Sequence, residues 1–147
     1  MRELAEPLVS VLMNCYNGEK YLQEAIDSVL AQTYKNWELI FWDNQSTDQS
    51  AYILKSYNDP RLKYFLAPEH TDLGGGRAKA FQYLTGEFIA ILDTDDIWLP
   101  QKLEKQVPLF EDPEIGIVIS DTFFFNEKTE KALYGNKPPP TGSVFEK

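Results

Sequence analysis

The stretch LVSVLMNCYNGEKYLQEAIDSVLAQTYKNWELIFWD, residues 8–43, sets the architecture predicted for the chain. Residues 8–13 are apolar and rich in β-branched side chains, which favours a buried strand, and a turn-rich segment follows them. Residues 19–32 carry apolar side chains at helical spacing, and residues 37–42 form a second apolar run that ends at Asp43. A strand, a helix and a strand of these lengths predict a βαβ unit with parallel strands.

The same alternation continues along the chain. Further strands are predicted at residues 62–67, 88–93 and 115–120, and further helices at 48–57, 77–84 and 100–111. The pattern predicts an α/β fold of three layers, α/β/α, with a mostly parallel sheet in a single domain over residues 1–147.

Local signals predict where the helices begin. Asn17 and Thr47 are predicted to cap the first two helices, and Pro100 to occupy the first position of the last one. Residues 70–76 contain three glycines and predict a loop.

The C-terminal part has a different character. The run FFF at 123–125 is expected to extend the fifth strand or to pair with it. From Asn126 the chain is polar and then rich in Pro and Gly, which indicates a chain cut in a loop, with a frayed natural terminus as the alternative.

Composition excludes several classes of protein. The net charge of -9 argues against a nucleic-acid backbone or an anionic membrane surface as the main partner. The single cysteine, Cys15, excludes an internal disulfide and a Cys-based zinc site. No signal peptide and no apolar run near the ~20 residues of a spanning helix is found, so we expect a location in the cytoplasm or at the inner face of the membrane.

Polar side chains follow three of the predicted strands. They are Asn14, Cys15 and Tyr16 after the first strand, Asp43 and Asn44 after the second, and Asp93, Asp95 and Asp96 after the fourth. Ligands of open parallel sheets bind beyond the carboxyl ends of the strands, so we expect one site there.

The three aspartates need a positive partner, because like charges this close oppose one another's ionisation. Helix capping is one explanation, but Pro100 would place the cap at Leu99, after all three. A solvated acidic turn is the other. Oxygen ligands at this spacing suit Mg²⁺ or Mn²⁺ with substrate phosphates, and the pattern favours a metal–phosphate site.

Other polar residues have two interpretations each. Tyr16 could stack on a flat ligand or pack as a core aromatic, and Asp43 could accept from a base N–H or cap a turn. Arg77 and Lys79 follow the glycines and could bind an anion, although an ordinary solvated charge is favoured for Arg77. His70 is interpreted as a loop residue.

Taken in order, residues 9–48, 72–106 and 113–121 resemble the N-terminal half of a family 2 glycosyltransferase with the GT-A (nucleotide-diphospho-sugar transferase) fold. The resemblance implies transfer of a sugar from a nucleotide-diphosphate donor, commonly UDP-linked, with inversion and with Mn²⁺ or Mg²⁺.

The resemblance also implies roles for individual residues. Tyr16 matches the aromatic that stacks on the nucleobase, Asp43 the acid that hydrogen-bonds the base, Asp93 the acid near the ribose, and Asp95 the metal ligand. The predicted nucleotide-binding residues are Asn14, Cys15, Tyr16, Asp43, Lys79, Asp93 and Thr94, and the predicted metal ligands are Asp95 and Asp93.

Three motifs depart from the family pattern in ways that could alter donor preference or weaken nucleotide binding. Residues 14–17 are NCYN where the family commonly has PTYN, and residues 43–48 are DNQSTD where it has DDGSTD. Residues 78–80 are AKA where the family often has ARN. No residue matches the family's general base, which the resemblance places in an acceptor-binding half beyond this sequence, so no catalytic residue is predicted.

The expected partners are a nucleotide-diphospho-sugar donor, a glycan or lipid-linked acceptor and, through an exposed sheet edge, a second copy of the chain. A donor-binding fragment without transferase activity is the alternative function. A receiver-like signalling domain is disfavoured, because Asp121 stands where that fold needs a lysine.

Overall fold

The computed structural model describes residues 6–125 and 130–132. The strands are β1 (Val9–Cys15), β2 (Trp37–Asp43), β3 (Leu62–Leu66), β4 (Phe88–Ile91), β5 (Phe123–Phe125) and β6 (Glu130–Ala132). The helices are α1 (Glu19–Leu30), α2 (Ser50–Ser56), α3 (Leu73–Ala80) and α4 (Lys102–Gln106), with 3-10 segments at Phe81–Tyr83 and Val107–Glu111. The chain divides into two compact units, residues 1–107 and 108–147. The single domain expected over residues 1–147 stays a prediction.

The first unit is built on one parallel sheet with the strand order β3-β2-β1-β4. β1 pairs with β2 over its whole length, so Cys15 lies opposite Asp43 at the carboxyl end. β4 pairs with the first part of β1 and ends at Ile91, opposite Leu12. The parallel sheet predicted from the strand–helix alternation is therefore confirmed.

Side chains of a strand alternate between the two faces of the sheet, so β1 supplies two separate cores. On one face, Val11 and Met13 belong to a buried cluster that includes residues of α1, α2 and α4. On the other face, Leu12 packs with Ile40 of β2 and Ala80 of α3. Helices thus cover both faces of the sheet, and the first unit has the predicted α/β/α layers.

The two predicted helix caps are wrong. α1 begins at Glu19 and α2 at Ser50, so neither Asn17 nor Thr47 occupies a cap position. Instead, the backbone N–H of Glu19 donates to Asp48 Oδ2 at 3.0 Å, and the Glu19 carboxylate accepts from the backbone at the start of α2. Side chains from each helix start thus accept hydrogen bonds from the free backbone N–H groups of the other. The spacing of residues within one segment cannot reveal such a contact.

The glycines predicted as part of a loop lie in α3 instead. Asp72 Oδ1 accepts a hydrogen bond from Gly75 N at 2.6 Å and so caps the helix. A Cβ atom on Gly76 would lie 2.6 Å from Asn14 Oδ1, so only glycine allows α3 to approach the end of β1 this closely. Gly76 therefore reflects close packing of α3 on β1, and the three glycines lie in a helix and not in a loop.

Pro100 lies outside the helix that it was predicted to begin. α4 starts at Lys102. The carbonyl oxygen of Pro100 accepts a hydrogen bond from Thr33 N at 2.8 Å, which ties the segment before α4 to the end of α1.

The fifth strand predicted at residues 115–120 is not formed. This segment makes no ladder with any described strand, and Ile117 and Ile119 are exposed. The run at 123–125 pairs antiparallel with residues 130–132 and does not pair with 115–120. An apolar run becomes a strand only where a neighbouring strand takes its backbone hydrogen bonds. Apart from residues 130–132, the tail beyond Asn126 lies outside the described residues.

A buried carboxylate joins the sheet to the turn before β4. Glu38 of β2 accepts hydrogen bonds from Ser10 Oγ at 2.6 Å, Thr85 N at 2.9 Å and Lys63 Nζ at 2.5 Å. Burial by itself raises the pKa of Glu38, but these donors outweigh it and lower the pKa from 4.5 to about 2. Glu38 is therefore held ionised and connects three strands with the turn before β4.

We expect Glu38→Gln to lower the free energy of unfolding by about 1–3 kcal/mol at neutral pH, because buried donors lose a charged acceptor. The wild-type advantage should shrink as pH falls from 4.5 towards 2, since protonation of Glu38 removes the same charge. Urea unfolding at a series of pH values measures both effects. Glu24→Gln, at an exposed position of α1, is the control, and an equal loss in that variant would contradict the role of burial.

Candidate functional site

An open cleft of about 430 Å³ lies at the carboxyl edge of the sheet. It is lined by Asn14, Tyr16, Asn44, His70, Thr71, Asp72, Leu73, Asp93, Thr94 and Asp95. These residues lie at or after the carboxyl ends of β1, β2, β3 and β4, which meet at one edge because the strands are parallel. A cleft thus lies at the edge of the sheet where the sequence predicts a site.

Five of the predicted site residues line this cleft: Asn14, Tyr16, Asp93, Thr94 and Asp95. Lys79 instead makes an ion pair with Glu69 at 2.7 Å on the surface. Cys15 and Asp43 are buried beneath the cleft edge and are not among its lining residues. The ligand-binding roles of all these residues stay predictions.

Asp43 holds the end of β2 in place. Its Oδ1 accepts from Ser46 N at 2.8 Å, and its Oδ2 accepts from the Tyr64 hydroxyl at 2.6 Å. Burial, and then the bond to Asp43, raise the pKa of Tyr64, so this hydroxyl keeps its proton as a donor. Burial also raises the pKa of the neighbouring Cys15 thiol.

The acidic cluster has a positive partner within the chain. Arg77 Nη2 donates to Asp93 Oδ1 in an ion pair that is partly buried. The interpretation of Arg77 as an ordinary solvated charge is therefore wrong, because α3 carries its guanidinium to the end of β4. Asp95 is exposed and makes no side-chain hydrogen bond with the described residues. Burial, followed by repulsion from Asp95 and Asp93, raises the pKa of Asp96.

The loop after β1 packs directly on the acidic turn. A Cβ atom on Gly18 would lie 2.9 Å from Thr94 Oγ1 and 3.2 Å from Cys15 Sγ. The absence of a side chain at Gly18 therefore lets the start of α1 contact the turn that carries Asp93 and Asp95.

Asn44 fastens the loop after β3 to the cleft. Its Nδ2 donates to the Thr71 carbonyl oxygen at 2.7 Å, while its Oδ1 accepts from Thr71 N at 3.1 Å. Its own N–H donates to the Cys15 carbonyl oxygen at 2.8 Å. Asn44 is 2% exposed, and its hydrogen bonds connect the ends of β1 and β2 to the loop at residues 70–72. We call this connecting function the bracket role of Asn44.

Tyr16 and His70 form an aromatic pair at the cleft. Their ring centroids are 4.3 Å apart, and the ring planes are tilted by 51°. His70 Nδ1 lies 2.9 Å from the Asn44 carbonyl oxygen. Tyr16 is 52% exposed, so it is not the core aromatic that one interpretation allowed.

Sequence reasoning missed the contribution of the loop after β3. His70 was interpreted as a loop residue, and Thr71, Asp72 and Leu73 received no role, yet all four line the cleft. Topology could have predicted this contribution. β3 is parallel to the other strands, so the segment that follows it begins at the same edge of the sheet.

Two polar atoms beside the cleft are buried without a hydrogen-bond partner, namely Asn14 Oδ1 and Arg77 Nε. Such atoms carry a free-energy cost that a ligand or an ordered water would relieve. Within the described part of the chain, no group of three or more His, Cys, Asp or Glu side chains suits a metal ion. The metal site at Asp93 and Asp95 stays a prediction.

The family model for glycosyl transferase family 2 matches residues 10–142. The chain belongs to this family. Family 2 membership confirms the resemblance inferred from the ordered motifs of the sequence.

Curated family 2 relatives are longer than this chain. An Escherichia coli protein, UDP-Glc:alpha-D-GlcNAc-diphosphoundecaprenol beta-1,3-glucosyltransferase WfgD, is 36% identical over 122 residues, which cover 83% of the chain and 48% of the relative. The putative teichuronic acid biosynthesis glycosyltransferase TuaG of Bacillus subtilis is 38% identical over 104 residues, covering 69% and 41%. The chain thus spans about half the length of such relatives, or less.

Solved structures agree on the fold. The Staphylococcus aureus TarS fragment in complex with UDP-GlcNAc has a TM-score of 0.66 and 30% identity, over 72% of this chain and 31% of that one. The mannosyltransferase PcManGT from Pyrobaculum calidifontis, in complex with GDP-Man and Mn²⁺, has a TM-score of 0.71 and 25% identity, over 77% and 35%. The GT-A type predicted for this family 2 chain is confirmed.

No helix within the described residues is long and apolar enough to cross a membrane.

We expect Asn44→Asp to lower the free energy of unfolding by about 1–3 kcal/mol, because the new carboxylate would face the Thr71 carbonyl oxygen in place of a donor. Amide hydrogen exchange at Thr71 should accelerate as the loop loosens. Urea unfolding and exchange measured by NMR test the two effects. Asn58→Asp, an exposed change of the same chemistry, is the control, and a similar loss there would contradict the bracket role of Asn44.

Proposed function

We propose that this chain is the donor-binding part of a glycosyltransferase that transfers a sugar from a UDP-sugar to an acceptor hydroxyl with inversion, assisted by Mn²⁺ or Mg²⁺. The observation that carries the proposal is the meeting of Tyr16, Asp93 and Asp95 in one cleft of a family 2 chain. The complex of the similar TarS fragment with UDP-GlcNAc supports the choice of donor.

The cleft offers two kinds of chemistry. Tyr16 presents an exposed aromatic ring, which suits stacking on a nucleobase. Asp93, Thr94 and Asp95 present oxygen atoms, which suit the hydroxyls of a ribose and a cation beside a diphosphate. Asn14 lies in the wall with an unpaired Oδ1, and it can serve a polar group of the nucleotide once ligand or water is bound.

The residues present fit a divalent cation. Mg²⁺ in phosphate sites is commonly held by one or two carboxylates, with waters and substrate phosphates completing its coordination. Asp95 is exposed and unengaged, whereas Asp93 already has Arg77 as its partner, so Asp95 is the principal ligand and Asp93 the secondary one. When bound, the cation supplies charge that stabilises the departing nucleoside diphosphate.

Charge makes a local cation necessary for such a donor. The chain carries a net charge of -9, and a diphosphate approaching three aspartates would be repelled. Arg77 neutralises part of this field at Asp93. The predicted role of Lys79 requires it to leave Glu69, which is feasible because exposed ion pairs contribute little free energy.

The names of the relatives suggest the acceptor class. WfgD acts on a diphosphoundecaprenol-linked sugar, and TuaG is associated with teichuronic acid biosynthesis. We therefore propose a lipid-linked or growing glycan as the acceptor, in the synthesis of a cell-surface polysaccharide. The proposed location is the cytoplasm or the inner face of the membrane.

The alternative is that the 147-residue chain binds a nucleotide sugar but does not transfer it. The chain spans less than half of its relatives' length in these matches, and no residue of the cleft is assigned as the general base that inversion requires. Measurable sugar transfer by the chain alone would overturn this alternative.

We expect Mn²⁺ to strengthen UDP binding to the wild type, and Asp95→Asn to weaken binding in Mn²⁺ by about tenfold or more, because a charged ligand is lost. Calorimetric titration with UDP, GDP and ADP, each with Mn²⁺ or EDTA, measures base preference and metal dependence together. Glu24→Gln, which removes one exposed carboxylate from α1, should bind as the wild type does. UDP affinity that is unchanged by EDTA and by Asp95→Asn would refute the metal assignment.

A further inference from the structure

The loop after β3 brings the chain's one histidine, His70, against the exposed ring of Tyr16. The centroid distance of 4.3 Å and the tilt of 51° are those of direct ring packing. Among the described residues, His70 supplies the aromatic ring that contacts Tyr16. Both residues line the same cleft.

One nitrogen of the imidazole fixes the orientation of the His70 ring. Nδ1 lies 2.9 Å from the Asn44 carbonyl oxygen, and since a carbonyl can only accept, Nδ1 carries the proton of this bond. The ring is therefore held through Nδ1 by a hydrogen bond while it packs against Tyr16.

The residue that holds His70 is itself rigid. Asn44 is buried, and its side chain exchanges hydrogen bonds with Thr71, the residue next to His70. Its backbone N–H is bonded to Cys15, the residue next to Tyr16. Asn44 thus connects His70 to the residue that precedes Tyr16, although 54 positions separate the two aromatic residues along the chain.

We propose that His70 is a positioning residue for the nucleobase: it holds the Tyr16 ring in the orientation that stacks on the base of the donor. This inference rests on the proposed function, in which Tyr16 is the stacking residue. An exposed tyrosine that no neighbouring side chain holds loses conformational entropy when a base stacks on it, and that loss weakens binding. The His70 ring removes this freedom before the ligand arrives.

Three substitutions separate the ring of His70 from its hydrogen bond. His70→Ala removes both, His70→Asn keeps a side-chain donor for the Asn44 carbonyl but has no ring, and His70→Phe keeps a ring but has no donor. We expect Ala and Asn to weaken the binding of UDP in Mn²⁺ by about threefold to tenfold, the scale of one aromatic pair. Phe keeps the ring contact but loses the hydrogen bond that orients the ring, so its loss of UDP affinity should be smaller than that of Ala and Asn.

A double-mutant cycle shows whether His70 acts through Tyr16. In a Tyr16→Ala background, His70→Ala should cause no further loss of UDP affinity, because there is no ring left to position. In the free protein, the NMR signals of the Tyr16 ring should shift in His70→Ala and His70→Asn, since the neighbouring ring current is lost. Tyr52→Ala, at an exposed aromatic of α2, is the control and should change none of these quantities.

The outcomes are distinct. If the wild type binds UDP and His70→Ala binds it equally well, the positioning role is overturned and the proposed function stands. A loss in His70→Ala that persists in the Tyr16→Ala background overturns it as well, because His70 would then act on the nucleotide directly. Wild type that binds no nucleotide overturns the proposed function, and this inference with it.

Discussion

The parallel pairing of β1 with β2 and β4 is the constraint on which the rest of the molecule depends. β1 is buried on both faces and bonded on both edges, so its position fixes two cores and three strand ends at once. Parallel strands must also finish at the same edge, which brings Asn14, Asp43 and Asp93 close together from distant parts of the sequence. The cleft is therefore a consequence of the sheet, and its chemistry is carried by the loops that leave it.

Those loops are held by side chains more than by regular structure. Asn44 brackets the loop after β3, Asp43 secures the turn after β2, and Asp48 caps α1 from a different segment. Arg77 of α3 offsets part of the repulsion expected among the aspartates, because its guanidinium reaches Asp93. The acidic turn is thus partly neutralised by the chain itself, and Asp95 keeps an exposed carboxylate that makes no side-chain hydrogen bond with the described residues.

Much of the architecture was predictable because it depends on repeated, averaged patterns. The apolar run before Asn14 and the helical stripe of α1 each involve many residues, so a single atypical position does not change the result. The helix-cap predictions were wrong because each cap depends on a single contact and not on an averaged pattern. Whether Asn17 or Asp48 caps a helix depends on one hydrogen bond across two loops, and the strand expected at 115–120 depends on a partner strand that no local pattern reports.

By itself, the sequence determined the strand–helix alternation, the parallel sheet, the edge at which the polar residues meet and the family to which the chain belongs. Only the tertiary structure decided that Arg77 pairs with Asp93, that the His70 ring contacts Tyr16 and that His70 Nδ1 bonds to the Asn44 carbonyl oxygen. The physical reason is range. Hydrophobic periodicity is a local property written along the chain, whereas an ion pair or a ring contact depends on ångström-scale distances between segments that only folding brings together.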